Sequence, residues 1–206
     1  TLLASSAASD VYKRQGLYIL TAKTEKINGC VINALSQVTS TPNRIMIAVN
    51  KNNFTTEQIL KTKKFNISIL NEKADFDLIK RFGFASGKNT NKFENFSNYE
   101  IAENEIPYIT QGTNSYISAE VVEVRDLGTH IEFLADVTAE VVLNEIPSIT
   151  YAYYQANIKP KSTIPQKKVV YICSVCGYVY EGDPLPEDFV CPLCLHDARY
   201  FVRSEV

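Results

Sequence analysis

Four of the five cysteines stand in two short pairs, Cys173-x-x-Cys176 and Cys191-x-x-Cys194. A two-residue spacer folds the backbone into a tight knuckle with both sulfurs facing one point. Two such knuckles make a tetrahedral four-thiolate site, which suits zinc(II) or a single iron. The spacing does not choose between the two metals. A disulfide framework fits less well, because the one other thiol, Cys30, has no evident partner in an otherwise cysteine-poor chain.

The residues around the pairs favour iron. Cys173-Ser-Val-Cys176-Gly177-Tyr178-Val179-Tyr180 is followed by Pro186-Glu-Asp-Phe189-Val190-Cys191-Pro192-Leu-Cys194, and together they resemble rubredoxin. Gly177 follows the first knuckle, where a residue without Cβ can take positive φ and let backbone N–H groups point at sulfur. Such donors stabilise the more negative, reduced form of an FeS4 centre. The resemblance implies one iron on Cys173, Cys176, Cys191 and Cys194, within an aromatic core of Tyr171, Tyr178, Tyr180, Phe189 and Phe201. Two departures stand out. The 14 residues between the pairs are fewer than in free-standing rubredoxins and closer to the short domain of rubrerythrins. Leu195 occupies the place of the second knuckle glycine. A structural zinc ribbon is the alternative for the same four cysteines, and His196 is expected to be a surface residue rather than a ligand.

At the other end, Ser5-Ser-Ala-Ala-Ser-Asp-Val-Tyr-Lys-Arg-Gln15 reads as a translated transposon-type sequencing adaptor. Residues 1–15 are therefore expected to be foreign, with a disordered leader as the alternative. No charged n-region or adequate apolar run makes them a secretory signal. The remainder suits one domain of ordinary size and a very small one. A hydrophobic fraction of 45% and a formal net charge of −2 permit a buried core. No basic patch invites nucleic acid, and no apolar run approaches the ~20 residues that cross a bilayer. A cytoplasmic location is expected.

From Gly16 to about Tyr154 the chain alternates short β-rich segments with turn residues, so a mainly β fold is predicted. Strands are expected at 17–22, 29–33, 44–49, 65–70, 115–125, 130–139 and 140–143, in a closed or nearly closed sheet. Short helices are expected at 55–62, capped by Thr55 or Thr56, and at 76–82. Asp126-Leu-Gly-Thr129 reads as a hairpin turn. No GxGxxG fingerprint suggests a Rossmann domain. Cys30 reads as a buried, inert strand residue.

Within this region Asn28-Gly-Cys30-Val-Ile-Asn33-Ala34-Leu-Ser-Gln37-Val38-Thr39-Ser40-Thr-Pro42, then Asn50-Lys51-Asn52-Asn53-Phe54-Thr55, resemble the flavin reductase-like, FMN-binding split-barrel family. The loop Phe82-Gly-Phe84-Ala-Ser86-Gly87-Lys88, running on to Lys92-Phe93, matches it too. An isoalloxazine edge can be met by backbone groups of a strand-edge segment such as Asn33 to Gln37. A phosphate needs hydroxyls, amides and a cation, which Thr39, Ser40, Lys51 and Thr55 supply beside a helix N-terminus. The resemblance implies FMN contacts at Asn33, Ala34, Gln37, Thr39, Ser40, Asn50, Lys51 and Thr55. It also implies a catalytic role near flavin and nicotinamide for His130, which read without the family is a strand-end histidine.

The division expected is residues 16–155 for the split barrel, 156–168 for an extended linker, and 169–206 for the rubredoxin-like domain. That order resembles the high-molecular-weight rubredoxins of anaerobic bacteria. It implies NAD(P)H as donor, FMN on a homodimer, one iron, and a flavodiiron protein reducing O2 or NO as acceptor. Two alternatives remain from the residues. One is a flavin or ferric reductase using free flavin, with a zinc ribbon. The other is a non-catalytic redox carrier or interaction module.

Overall fold

A computed structural model describes residues 11, 13–160, 169–182 and 184–205. Most of the adaptor-like segment (1–10 and 12) and residues 161–168 of the expected linker lie outside the described residues. The chain forms two compact units, divided between Pro160 and Lys161.

The larger unit is built on a seven-stranded antiparallel sheet in the order β2-β1-β5-β8-β9-β4-β3. Its strands are β1 (Tyr18–Lys23), β2 (Ile27–Ile32), β3 (Leu35–Ser40), β4 (Asn43–Asn50), β5 (Lys64–Leu70), β8 (Thr113–Asp126) and β9 (His130–Val142). A separate two-stranded ribbon pairs β6 (Tyr99–Ile101) with β7 (Pro107–Ile109). β2 and β3 are the two edges of the large sheet, yet Asn33 and Ala34 alone join them. Three peptide links span at most roughly 10 Å. The sheet must therefore curl until its edges nearly meet, which makes the mainly β split barrel that the sequence predicts.

Side-chain alternation then sorts the core. Leu20, Ala22, Ile45, Ile47, Phe65, Ile67, Phe133 and Ala135 fill the barrel, joined by Ile59 of helix α1 (Phe54–Thr62). The other face of β1, with Ile19 and the preceding Leu17, packs under helix α2 (Phe76–Gly83) through Leu78, Ile79 and Phe82. Phe82 is fully buried and meets Phe93 and Phe96 edge to face at 5.3 and 5.6 Å.

Several details differ from the sequence expectation. The expected strands 130–139 and 140–143 are one strand, β9, because β8 pairs with it throughout, past two register shifts. β3 was expected only as an edge segment and is a full strand. The cap of α1 is Asn53, not Thr55 or Thr56, and no side chain caps it. Thr56 instead donates to Asn50 O at 2.8 Å, and Thr55 is buried. Residues 156–158, expected to open an extended linker, belong instead to the helical turns that start at Tyr151 and run through Tyr154–Ile158.

In the smaller unit β10 (Val169–Cys173) lies between β11 (Val179–Tyr180) and β12 (Phe201–Glu205). Among the described residues no helix is long and apolar enough to cross a membrane.

Candidate functional sites

The metal centre is built from two matching turns. Cys173 ends β10, and Gly177 N–H donates back to Cys173 O at 2.9 Å with φ +76°. Leu195 N–H donates to Cys191 O at 2.9 Å with φ 60°, so a leucine takes the left-handed backbone that glycine usually supplies. The four sulfurs converge within 4.8 Å of one another, with Cys173 to Cys194 at 3.6 Å and Cys176 to Cys191 at 3.5 Å. A metal–thiolate bond of about 2.3 Å requires tetrahedral edges of roughly 3.8 Å, so the sulfurs present suit one tetrahedral ion.

Backbone amides complete the shell. Val175 and Cys176 aim N–H groups at Cys173, Leu193 and Cys194 at Cys191, Tyr178 at Cys176 and His196 at Cys194. Leu195 thus preserves the amide geometry of its knuckle. Burial pushes the Cys191 thiol up, but its amide donors together with the neighbouring Cys176 and Cys194 thiols outweigh burial and hold its pKa at about 7. Cys173 and Cys191 are buried, while Cys176 is exposed and Cys194 intermediate, so one side of the centre faces water. Phe189 packs with Tyr180 at 4.6 Å and Phe201 at 5.3 Å, and Tyr178 joins at 6.4 Å. Tyr171 lies opposite Tyr180 in the β10–β11 register. His196 packs on Tyr200 at 4.6 Å and stays outside the thiol cluster.

The larger unit divides the expected flavin contacts into groups. Asn50 lies opposite His130 in the β4–β9 register, and Lys51 N–H donates to Thr129 O at 3.1 Å. Lys51 Nζ meets Asp126 Oδ2 at 2.5 Å, and Thr129 Oγ1 meets His130 Nδ1 at 2.9 Å. Thr55 follows a few residues on, where its hydroxyl accepts from Asn28 Nδ2 at 2.9 Å. Asn33 and Ala34 bridge the barrel seam, where Ala34 O accepts from Ala48 N–H. Gln37, Thr39 and Ser40 are exposed on β3 and pair with β4 residues 43–45. Five to seven residues of strand, roughly 20 Å, separate their partners from Asn50.

The expected contacts leave out Lys92, although the loop that carries it is among the stretches that resemble the family. A cavity of about 320 Å3 opens at the N-terminus of α1, lined by Asn28, Asn53, Thr55, Ser86, Gly87 and Lys92, among others. Lys92 is 4% exposed. Its ammonium donates to Gly29 O at 2.9 Å and Phe82 O at 2.8 Å, and no carboxylate among the described residues pairs with it. Burial lowers its pKa, and nearby Cys30 opposes that. Cys30 is buried as expected, yet it borders this cavity beside Thr55 and Asn53. A buried cation without a counter-charge, next to hydroxyls and a helix N-terminus, is a fit for a phosphate. The signal in the sequence was a lysine in an aromatic-rich loop, which periodicity reads as surface. Gly87 leaves no room for a side chain, since a Cβ there would meet Asn28 Oδ1 at 2.3 Å.

Comparisons with known proteins agree with both halves. Residues 13–162 match the model of the flavin reductase like domain, and residues 171–202 match the rubrerythrin, rubredoxin-like domain. High molecular weight rubredoxin of Moorella thermoacetica is 36% identical, over 87% of this chain and 91% of the relative. Ferric-chelate reductase (NAD(P)H) of Archaeoglobus fulgidus is 31% identical, over 76% of this chain and 91% of the relative. Among solved structures, flavoredoxin from Methanosarcina acetivorans superposes with a TM-score of 0.54 at 22% identity, covering 62% of this chain and 68% of the other. The chain therefore belongs to the flavin reductase-like family, in the form that continues into a rubredoxin-like domain with four metal-binding cysteines.

Proposed function

We propose that this oxidoreductase is a cytoplasmic, NAD(P)H-dependent electron-transfer enzyme that takes hydride equivalents and delivers single electrons through a four-thiolate iron. The observation that carries the reading is the pairing, in one chain, of a flavin reductase-like barrel with four converging sulfurs. Nicotinamides give electrons in pairs and an iron–thiolate centre takes one. FMN, when bound, supplies the conversion between them.

The residues divide the work. Lys92, Thr55, Asn53 and the N-terminus of α1 take the flavin phosphate. Asn33 and Ala34 at the seam, with Asn50 and Lys51, meet the ring edge, and His130 stands by for charge on the reduced ring or for the nicotinamide. Gln37, Thr39 and Ser40 lie exposed on an edge strand, which suits completion of the site of a second copy in a homodimer. Cys173, Cys176, Cys191 and Cys194 hold iron, with a flavodiiron O2 or NO reductase as onward acceptor in an anaerobe. Residues 1–15, 16–155, 156–168 and 169–206 are the proposed adaptor, barrel, linker and rubredoxin-like parts.

The second reading is a plain flavin or ferric reductase with a zinc ribbon, favoured by the relative named a ferric-chelate reductase. Anaerobic rapid mixing of the flavin-loaded protein with NADH or NADPH separates a reductase from a passive carrier. The proposal expects flavin absorbance to bleach within turnover time, and a flavin that stays oxidised contradicts it.

A further inference from the structure

We propose that Cys30 is an oxidation site, at which hydrogen peroxide converts the thiol to a sulfinate that takes the place of the flavin phosphate. The inference rests on the phosphate site proposed above and adds its regulation. Cys30 belongs to the barrel core at 5% exposure, yet it also lines the cavity of about 320 Å3 at the N-terminus of α1. The groups around its sulfur are those assigned to the phosphate: Thr55 and Asn53 hydrogen-bond with the thiol, and the Lys92 charge acts on it. Thr55 Oγ1 already accepts from Asn28 Nδ2 at 2.9 Å, so its own proton is left to donate. Lys92 lines the same cavity at 4% exposure. Two of its three N–H groups donate to Gly29 O and Phe82 O, which leaves one for a ligand. A buried cation, a hydroxyl and a helix N-terminus thus form one pocket for anionic oxygens, and a sulfur stands inside it.

In the first step the sulfur attacks one peroxide oxygen. An S–O bond forms, the O–O bond breaks, and the departing hydroxide leaves with the thiol proton as water. Sulfur thereby gives two electrons to the peroxide and becomes a sulfenic acid. A second peroxide repeats the exchange, releases another water, and leaves a sulfinate whose proton passes to solvent. Burial raises the pKa of Cys30 against the pull of Thr55, Lys92 and Asn53. Little thiolate is then present, and the reaction is slow beside that of an exposed, acidic thiol. Its product is held, because anionic oxygens accept from the donors that a phosphate would use. Sulfinate and phosphate exclude one another, by occupancy and by like charge.

The full chain is freed of flavin, or loaded with FMN or with riboflavin. Each sample is treated with excess hydrogen peroxide, quenched with catalase and read in two ways. Peptide mass spectrometry reports Cys30 separately from Cys173, Cys176, Cys191 and Cys194, and titration reports flavin affinity. Cys30 should gain two oxygens in the flavin-free and riboflavin-loaded chains and stay reduced under FMN. The oxidised chain should then bind FMN roughly ten- to a hundredfold more weakly, as the loss of a charge-assisted hydrogen bond predicts, and riboflavin as before. Cys30→Ser should keep its FMN affinity through the same treatment, with Cys30→Ala as a second variant against a folding defect. A Cys30 that stays reduced in the flavin-free chain overturns the proposal. So does oxidised Cys30 with FMN affinity unchanged, or an equal loss of FMN affinity in the serine variant, which moves the damage elsewhere. FMN that binds no more tightly than riboflavin in the untreated chain refutes the phosphate site, and this proposal with it, before any oxidant is used.

Discussion

The two redox ends of this chain are built by opposite strategies. The metal end is local: its four ligands fall between Cys173 and Cys194, each knuckle closes through its own amide bonds, and a few aromatic rings suffice for a core. The flavin end is assembled from afar. Asn28 on β2, Thr55 on α1 and Lys92 in a distant loop line one cavity only because the fold brings them together. Local sites can be damaged without harm elsewhere, whereas an assembled site inherits every weakness of its core.

Cys191→Ser gives the largest effect and the sharpest cut between the two. It should abolish iron loading, read by metal analysis, while NADH still bleaches the flavin at its former rate. Loss of both activities would break the division into separate centres. Phe82→Ala is the converse. Removing a fully buried ring costs roughly 3–5 kcal/mol, so the barrel's denaturation midpoint should fall and flavin affinity with it. The thiolate–iron absorbance of the same sample should persist.

Lys92→Met tests the assembled site more finely. A charge-assisted hydrogen bond is worth about 1.5–3 kcal/mol, so FMN should bind one to two orders of magnitude more weakly. Riboflavin, which has no phosphate, should bind as before. The pH dependence follows from the lowered pKa of Lys92, whose first cause is burial. Its charge is lost at a lower pH than that of an ordinary lysine. FMN affinity should therefore fall as pH rises through that value in the native chain and stay flatter in the methionine variant.

The smallest effect concerns the knuckles. Leu195 and Gly177 share left-handed backbone, and a side chain there costs about 1–2 kcal/mol. Leu195→Gly should stabilise the small unit by about 1 kcal/mol, since glycine gives back part of the gain in the unfolded chain. Gly177→Ala, whose Cβ meets nothing within 4 Å, should lose a similar amount. Denaturant unfolding of the iron-loaded chain, followed at the thiolate–iron bands, measures both.

The same contrast explains what was legible in the sequence. Cys173, Cys176, Cys191 and Cys194 could be read as a set because their chemistry lies in spacing, and the structure brings them within 4.8 Å. Most strands of the barrel were legible from β-branched runs, and the helix expected at 76–82 is α2, whose cap the structure supplies in Asp75, accepting from Leu78 N–H at 2.8 Å. β3 escaped as a full strand, because Ser36, Gln37, Thr39 and Ser40 are exposed and carry no apolar alternation. Lys92 escaped for a different reason. A lysine is read as solvated unless the fold supplies carbonyls to hold it, and Gly29 O and Phe82 O come from elements far apart in sequence.

The central claim is that one chain converts paired electrons into single ones at two linked centres. The most direct test is the visible spectrum of the protein purified anaerobically from iron-grown cells, before and after NADH. Flavin bands together with thiolate-to-iron bands, both bleaching on addition of NADH, are the predicted result. Flavin bands alone, with zinc found by elemental analysis, would contradict it and leave a flavin reductase with a structural tail.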